Sequence, residues 1–228
     1  MFFRRSYQKE IMDDMSIGGE TLDKAFRELS KINRWLGGKA TSLKGIMSLA
    51  KNIPHPKTLT ILDVGSGGAD IVDAVSSLDA EVNITALDFN QNACSYAART
   101  HPSLNVVQGS VMALPFPHQS FDLVHASLFL HHFTEDELRN ILQSLMNVTR
   151  YGIIINDLRR SLFAYLGITF IAQVLSRSDM VKHDGPLSVR RGFTLKELKK
   201  LCESLSSASF TIHRRWAFRW LVCIKKNP

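Results

Sequence analysis

Between Leu59 and Asn156, apolar runs of strand length alternate with segments of helical period, and this alternation constrains the fold more than any other feature. Strands are expected over Leu59 to Val64, Val82 to Asp88, Leu104 to Gln108, Phe121 to Ala126 and Gly152 to Asn156. Helices are expected over Ala69 to Leu78, Asn90 to Arg99 and Thr134 to Val148, the last opened by a capping box of Thr134 with Glu137. Strands that recur after single helices run parallel through right-handed crossovers, so helices cover both faces of a doubly wound α/β sheet. Ligands of such a sheet sit at the carboxyl ends of its strands.

The flanks extend this core. Leu22, Phe26, Leu29, Ile32 and Leu36 fall at helical spacing between Thr21 and Leu36, and Gly37-Gly38 closes the segment as a C-cap. A second helical segment, Leu43 to Ala50, precedes a break at Pro54-His55-Pro56. After the fifth strand, SLFAYLGITFIAQVLS (residues 161–176) carries no charge and is bracketed by Arg160 and Arg177. It is shorter than the roughly 20 apolar residues of a membrane span. A loop containing HDGPLSV follows, then a helix opened by a second capping box, Thr194 with Glu197, and two strand-like runs, Phe210 to Arg215 and Phe218 to Lys225. A chain of 228 residues with 45% apolar content buries one substantial core. One domain is expected, with residues 1–56 as an N-terminal helical cap, 57–157 as the ligand-binding core, 158–192 as a lid and 193–228 as the C-terminal helix and strands.

Cys94, Cys202 and Cys223 are widely spaced, with no C-x-x-C pair, which argues against a disulfide framework or a zinc site. MFFRRSYQKEIMDD lacks an apolar stretch of signal-peptide length, so a cytoplasmic, reducing setting is expected. A formal charge of +7 suits nucleic acid, anionic lipid or an acidic small molecule. The basic residues never form a run of five or six, and those in HRRWAFRWLVCIKK read as solvated cations on paired strands. Nucleic acid is the disfavoured partner, because neither an N-P-P-Y tetrad nor a separate RNA-binding module is present.

The turn after the first strand, TILDVGSGGADI, narrows the ligand. A dinucleotide fingerprint brings glycine amides and a helix N-terminus to a pyrophosphate. Here Asp70 stands where the last glycine belongs, Asp63 precedes the turn, and no G-K-[ST] follows. Carboxylates at that position repel phosphate and attract an ammonium or sulfonium. Asp88, in ALDFN about 20 residues on, is placed to accept both hydroxyls of a ribose. A nucleoside with a cationic arm and no phosphate is S-adenosylmethionine.

ILDVGSGGADI, ALDFN and VVQGSVMALPFPHQSFDLVHASLFLHHF together resemble class I S-adenosylmethionine-dependent methyltransferases, over roughly residues 59 to 157. The resemblance is closest to the small-molecule branch that holds the ubiquinone and menaquinone C-methyltransferases and polyketide-associated O-methyltransferases. It implies a Rossmann-like, mostly parallel seven-stranded sheet with N-terminal helices and a helical lid after strand five. It also implies cofactor contacts from Asp63, Gly65, Ser66 and Gly67 at the methionine arm, and from Asp88 and Phe89 at the ribose. Gly109, Ser110 and Val111 fall at the adenine, and Ser127 and Leu128 beside the sulfonium. Two positions depart from the family: Ala69 replaces a third glycine, and Ser110 replaces a loop acid.

Methyl transfer from a sulfonium is an in-line displacement, so the protein chiefly aligns the nucleophile and excludes water. A phenol acceptor gains from a nearby base. His131 and His132 are either that base or packing at a helix entrance. Asp157 and Asn156 end the fifth strand, at an acceptor contact or a structural turn. His125, inside a strand, reads as a satisfied core histidine. Arg34 either pairs with the methionine carboxylate or lies on a solvated helix face. His183-Asp184 reads as a loop turn rather than a base pair. No metal is expected, since Asp157 is the one carboxylate clearly at that edge. The 161–176 segment packs on the N-terminal helix, a greasy substrate or a membrane surface, and each option suits a lipophilic aromatic acceptor. O-methylation is the leading expectation, with C-methylation of a quinone precursor and a non-catalytic S-adenosylmethionine-binding partner protein as alternatives. The acceptor's identity and the oligomeric state are not legible.

Overall fold

The computed structural model describes residues 4–51, 53–54, 58–78, 80–206 and 208–227. Helix α1 (Gly19–Trp35) and helix α2 (Gly38–Ala50) meet at Gly37, whose left-handed φ of 72° ends the first helix as a C-cap glycine should. Gly38 was expected in the cap, but it opens α2, because a Cβ there would lie 1.7 Å from Asn33 Oδ1. The helix therefore starts five residues before Leu43. Of the expected Pro54-His55-Pro56 break, residues 55–56 lie outside the described residues.

Strand β1 (Thr58–Val64) leads through the glycine turn into α3 (Ile71–Val75). This helix is shorter than expected, since Ala69 adopts a positive φ of 59° and cannot be its first turn. Then follow β2 (Glu81–Asp88), α4 (Gln91–Thr100), β3 (Asn105–Gln108), β4 (Phe121–Ser127) and α5 (Glu135–Val148). Asn90 caps α4 and Thr134 with Glu137 caps α5, as their sequence signals require. Strand β5 (Thr149–Leu158) precedes α6 (Leu162–Leu175), α7 (Asp179–Arg191) and α8 (Leu195–Glu203). Strands β6 (Ala208–Arg215) and β7 (Arg219–Lys226) end the fold.

One expectation fails in this region. HDGPLSV lies inside α7, with Pro186 in the helix interior, and is not a loop. Tertiary contacts offset the proline's cost. Asp184 accepts the backbone N–H groups of Ile11 and Met12 at 2.8 and 3.0 Å, and Leu187 and Val189 are buried. The β6–β7 turn also claims Phe218, which sits at φ 57° ahead of β7 rather than within it.

The seven strands form one sheet in the order β3-β2-β1-β4-β5-β7-β6. The first five are parallel, while β7 runs antiparallel to both β5 and β6. Strand order reverses between β1 and β4, which opens a crevice at their carboxyl ends. One core cluster, including Leu142, Leu145, Ile155 and Val222, packs α5 and α8 on one face. A second, including Ile46, Ile61, Leu123 and Ile154, packs α2 and α3 on the other. A third joins α1, α4 and α7 through Leu22, Phe26, Tyr96 and Met180, which places the N-terminal helix over the crevice. Edge strand β6 alternates half-buried and exposed positions, so most of its cations are solvated, as the tail pattern suggests.

Gly152 lies where β5 pairs with β7, and a Cβ there would meet the Ile224 carbonyl oxygen at 2.2 Å. Gly152→Ala is expected to cost about 3 kcal/mol, the upper range for overpacking a filled interior. Urea denaturation would show this as a lower midpoint with an unchanged slope.

Candidate active site

The glycine turn is built as its residues demand. Gly65 and Gly67 take φ values of 62° and 49°, open to glycine without strain. The N–H groups of Gly65 and Ser66 both donate to Leu87 O, at 2.9 and 3.2 Å, which ties the turn to β2. A Cβ at Gly65 would fall 2.0 Å from the Phe129 ring, so close approach also excludes a side chain. Asp88 ends β2 beside this turn. Its Oδ2 accepts the Gly67 N–H at 2.8 Å and its Oδ1 accepts the Asn90 N–H at 2.9 Å. Burial pushes the Asp88 carboxyl pKa up, against the pull of these amides.

Asp63 is buried at 4% exposure and lines the crevice. It begins a chain of polar contacts that no spacing in the sequence foretells. Asp63 Oδ1 lies 2.6 Å from His125 Nδ1, and His125 Nε2 lies 2.8 Å from Ser42 Oγ. Asn156 Nδ2 donates to Ser42 Oγ and to Gly38 O, both at 2.9 Å. Arg219 donates to Asn156 Oδ1 at 3.4 Å and to Asn33 Oδ1 at 2.7 Å, and Asn33 Nδ2 donates to Asp70 Oδ2 at 2.7 Å. His125 is thus the satisfied core histidine expected. Burial lowers the Arg219 guanidinium to about 10, although Asp157 and Asp70 oppose the shift.

The crevice has a volume of about 140 Å³, with Gly65, Ser66, Gly67, Asp70, Ser127 and Leu128 on its wall. Arg34 is exposed and lines an adjoining groove beside Asp73 rather than the crevice itself. Lys39, which sequence reasoning missed, lines the crevice instead and pairs with Asp73 at 2.6 Å. Gly109 donates its N–H to Asp88 O at 2.9 Å, Ser110 Oγ accepts the Met112 N–H at 3.2 Å, and Val111 is buried. Phe89 is 60% exposed, and neither it nor Asp88, Gly109, Ser110 or Val111 is on the wall of that crevice.

Leu128, at φ 52°, lines both the crevice and a second cavity of about 480 Å³. Met12, Leu29 and Asn33 are also shared, so the two spaces adjoin. Ala164, Ile168 and Ile171 of α6, with Trp216 and Phe218 of the β6–β7 turn, make much of the second cavity apolar.

His131 and His132 close one end of this cavity from the 3-10 turn Leu130–His132. His131 Nδ1 lies 2.7 Å from Asp157 Oδ1, and Asp157 also accepts the N–H groups of His131 and Leu158. His132 Nδ1 lies 2.8 Å from Asp13 Oδ1. Burial disfavours the charged His131 imidazole, but the Asp157 charge and hydrogen bond, with Glu10, raise its pKa to about 9. Asp157 has no exposed surface, so it holds His131 in place rather than reaching the cavity itself. Glu10, another residue missed from sequence, turns its carboxylate toward both histidines. No metal was expected here, yet the possible ligand atoms of Glu10, His131 and His132 lie within 4.8 Å of one another. His183 and Asp184 are hydrogen-bonded to each other on α7, and Asp184 caps the Ile11–Asp13 turn.

Residues 61–152 match the family model described as Methyltransferase domain. Over 92 residues, 40% of this chain, the sequence is 33% identical to an uncharacterized methyltransferase of Synechocystis sp. and 30% identical to the demethylmenaquinone methyltransferase of Renibacterium salmoninarum. Over this segment the chain is similar to methyltransferase domains. Its matches cover 42% and 37% of those two relatives, so it spans less than half the length of the curated relatives it matches. In fold, the domain is similar to the plantazolicin methyltransferase BpumL, solved in complex with SAH, with a TM-score of 0.67 over 91% of this chain and 95% of that one. Sequence identity there is 14%, a likeness of fold alone.

Asp88 is tied to the glycine turn, whereas Arg34 is exposed on α1. Asp88→Asn is expected to weaken binding of S-adenosylhomocysteine (SAH) about tenfold or more, a loss of about 1.4 kcal/mol. Arg34→Ala should leave it unchanged, and isothermal calorimetry on both variants measures the difference.

Proposed function

We propose that this protein is an S-adenosylmethionine-dependent methyltransferase whose acceptor is a small lipophilic hydroxyl compound, phenolic or polyketide-derived, methylated on oxygen. One observation carries the reading: an Asp-lined crevice behind a glycine turn adjoins an apolar cavity at Leu128, and His132 stands at that cavity's end. The adenosyl ligand fits the crevice by charge, since Asp63 and Asp70 line it and favour a cationic arm over a phosphate. Lys39, at the same wall, suits the arm's carboxylate. Asp88, beside the glycine turn, suits the ribose hydroxyls.

An acceptor in the larger cavity would present its oxygen toward Leu128, where the two spaces meet. As the oxygen lone pair forms the new C–O bond, the C–S bond breaks and its electron pair stays on sulfur, which becomes a neutral thioether. The hydroxyl proton leaves before or during transfer, and His132 Nε2 is the accessible base, its Nδ1 being held by Asp13. Walls from α6 and the β6–β7 turn exclude water.

The demethylmenaquinone methyltransferase relatives favour a second reading, transfer to carbon of a quinone precursor. Isotopically labelled methyl that resists ether cleavage of the product would select it. Failure of both S-adenosylmethionine and SAH to bind in calorimetry, or to raise thermal stability, would rule out both readings.

His132→Gln is expected to slow methyl transfer about 100-fold, the lower range for a lost acid–base group. SAH affinity should be preserved, which single-turnover assays beside calorimetry would verify.

The supply of a greasy acceptor bears on α6. Leu162, Phe163, Leu166 and Phe170 are each at least half exposed, and Arg159 and Arg177 flank the helix in sequence. An apolar face with basic neighbours suits the surface of an anionic bilayer. Among the described residues no helix is long and apolar enough to cross a membrane, so any such contact is peripheral. Replacing Phe163 and Phe170 by Ser should reduce co-sedimentation with phosphatidylglycerol vesicles and leave SAH binding intact. Unchanged co-sedimentation would discard the lipid contact.

A further inference from the structure

We propose that Glu10, His131 and His132 form a site for a divalent transition-metal ion of the zinc type, open to the acceptor cavity. The inference rests on reading that cavity as the acceptor's. Both histidines line the cavity, and so does Glu10.

Three features of the cluster are those a metal site needs. The first is the donor set: two imidazole nitrogens and a carboxylate are a common protein ligand set for zinc and for non-heme iron, with further positions left for water or substrate. Magnesium prefers oxygen ligands alone, so it is the wrong ion for this set.

The second feature is spacing. His131 Nε2 lies 3.5 Å from Glu10 Oε1, and His132 Nε2 lies 4.0 Å from Glu10 Oε2. Ligands about 2.0–2.1 Å from one zinc ion stand some 3.3–3.5 Å apart in a tetrahedral arrangement. The three donor atoms lie within 4.8 Å of one another and would draw together to close on an ion. At 3.5 Å the nitrogen and oxygen are too far apart for a good hydrogen bond. Glu10 Oε1 and His131 Nε2 are both buried without a hydrogen-bond partner, although Glu10 and His131 side chains are only 5% and 2% exposed. Such orphaned polar atoms are costly unless something binds them.

Orientation is the third. Each histidine gives its Nδ1 to a carboxylate, His131 to Asp157 at 2.7 Å and His132 to Asp13 at 2.8 Å. That arrangement points each Nε2 toward Glu10 and is the usual outer shell of a metal-bound histidine, and a bound ion would displace the proton that His131 otherwise holds there. Arg191 braces the same cluster, donating to Asp13 Oδ2 at 2.9 Å and to the carbonyl oxygens of His131 and His132. Its guanidinium is 3.7 Å from Glu10 Oε1, and Arg5 donates to His131 O from the other side. The donors are therefore set by Asp13, Asp157 and Arg191 before any ion arrives.

A hydroxyl of the acceptor bound at an open position would lose its proton to solvent more readily, and the resulting oxygen anion would take the methyl group. With the ion bound, His132 Nε2 would be a ligand rather than the base, and the ion would supply the activation in its place.

The test uses the full chain, stripped with chelator and titrated with Co²⁺ alone, then with Zn²⁺ as competitor. Stoichiometric binding at micromolar protein is expected, with visible d–d absorption bands that Zn²⁺ abolishes and Mg²⁺ does not. Zn²⁺ should also raise the thermal midpoint in proportion to the logarithm of its concentration. Glu10→Gln and His132→Gln should abolish the bands, and Asp157→Asn should weaken binding about 10–100-fold, as loss of an outer-shell partner does. His118→Gln, at an exposed histidine away from the cluster, should bind as the unaltered chain does. No Co²⁺ bands in the unaltered chain, or equal bands in Glu10→Gln and His132→Gln, would overturn the proposal. SAH calorimetry on the same stripped sample reports on the cofactor crevice independently, so loss of the metal site and loss of the methyltransferase reading are distinguishable.

Discussion

The chain of polar contacts from Asp63 through His125, Ser42, Asn156, Arg219 and Asn33 to Asp70 holds the rest of the site in place. It runs from β1 through β4, α2, β5, β7 and α1 back to the glycine turn. Buried polar groups of this kind tolerate few alternative arrangements, because each unpaired member carries its full desolvation cost. The N-terminal helices are thereby locked to the sheet, with the crevice between them. The two carboxylates that would face a cationic ligand are the two ends of this chain.

A second constraint lies at the carboxyl ends of β4 and β5. Asp157 is fully buried, and its acceptor capacity is filled by His131 and by backbone N–H groups. The 3-10 turn Leu130–His132 is thereby fixed against β5, and the histidine side chains end at the larger cavity. Arg191 repeats the device from α7, tying that helix to the same turn and to Asp13. Helix α7, the N-terminal turn and the core strands thus converge on one end of one cavity. Chemistry requiring dry, oriented groups can be assembled there without strong acid–base machinery.

Helix α6 balances two demands. Its inner residues, Ala164, Ile168 and Ile171, wall the cavity, while Leu162, Phe163, Leu166 and Phe170 remain outside. This accounts for a segment apolar on more than one face: the N-terminal helix, one of the three expected partners, does not cover the outer side.

The sequence by itself determined the strand and helix order of the core from β1 to β5, the glycine turn and the caps, but not helix α7, because these features follow from local periodicity and from backbone conformations that few residues permit. Thr134 with Glu137, Thr194 with Glu197, and Gly37 did what their chemistry requires. Asp88 fell beside the glycine turn because the span from that turn to the end of the next strand is set by the fold unit itself. Tertiary structure alone decided which distant side chains share a space. Pro186 became helical because α7 is buried against the N-terminal turn, a contact no local signal carries. Arg34 of α1 lies on an exposed helix face, one of its two expected placements, while Lys39 of α2 lines the crevice, and packing rather than spacing sets which of the two does so. Glu10 reached His131 and His132 only because the N-terminal turn folds back over β5. Proximity across such a span depends on the whole core, so residues that read as an ordinary charged segment became part of a buried site.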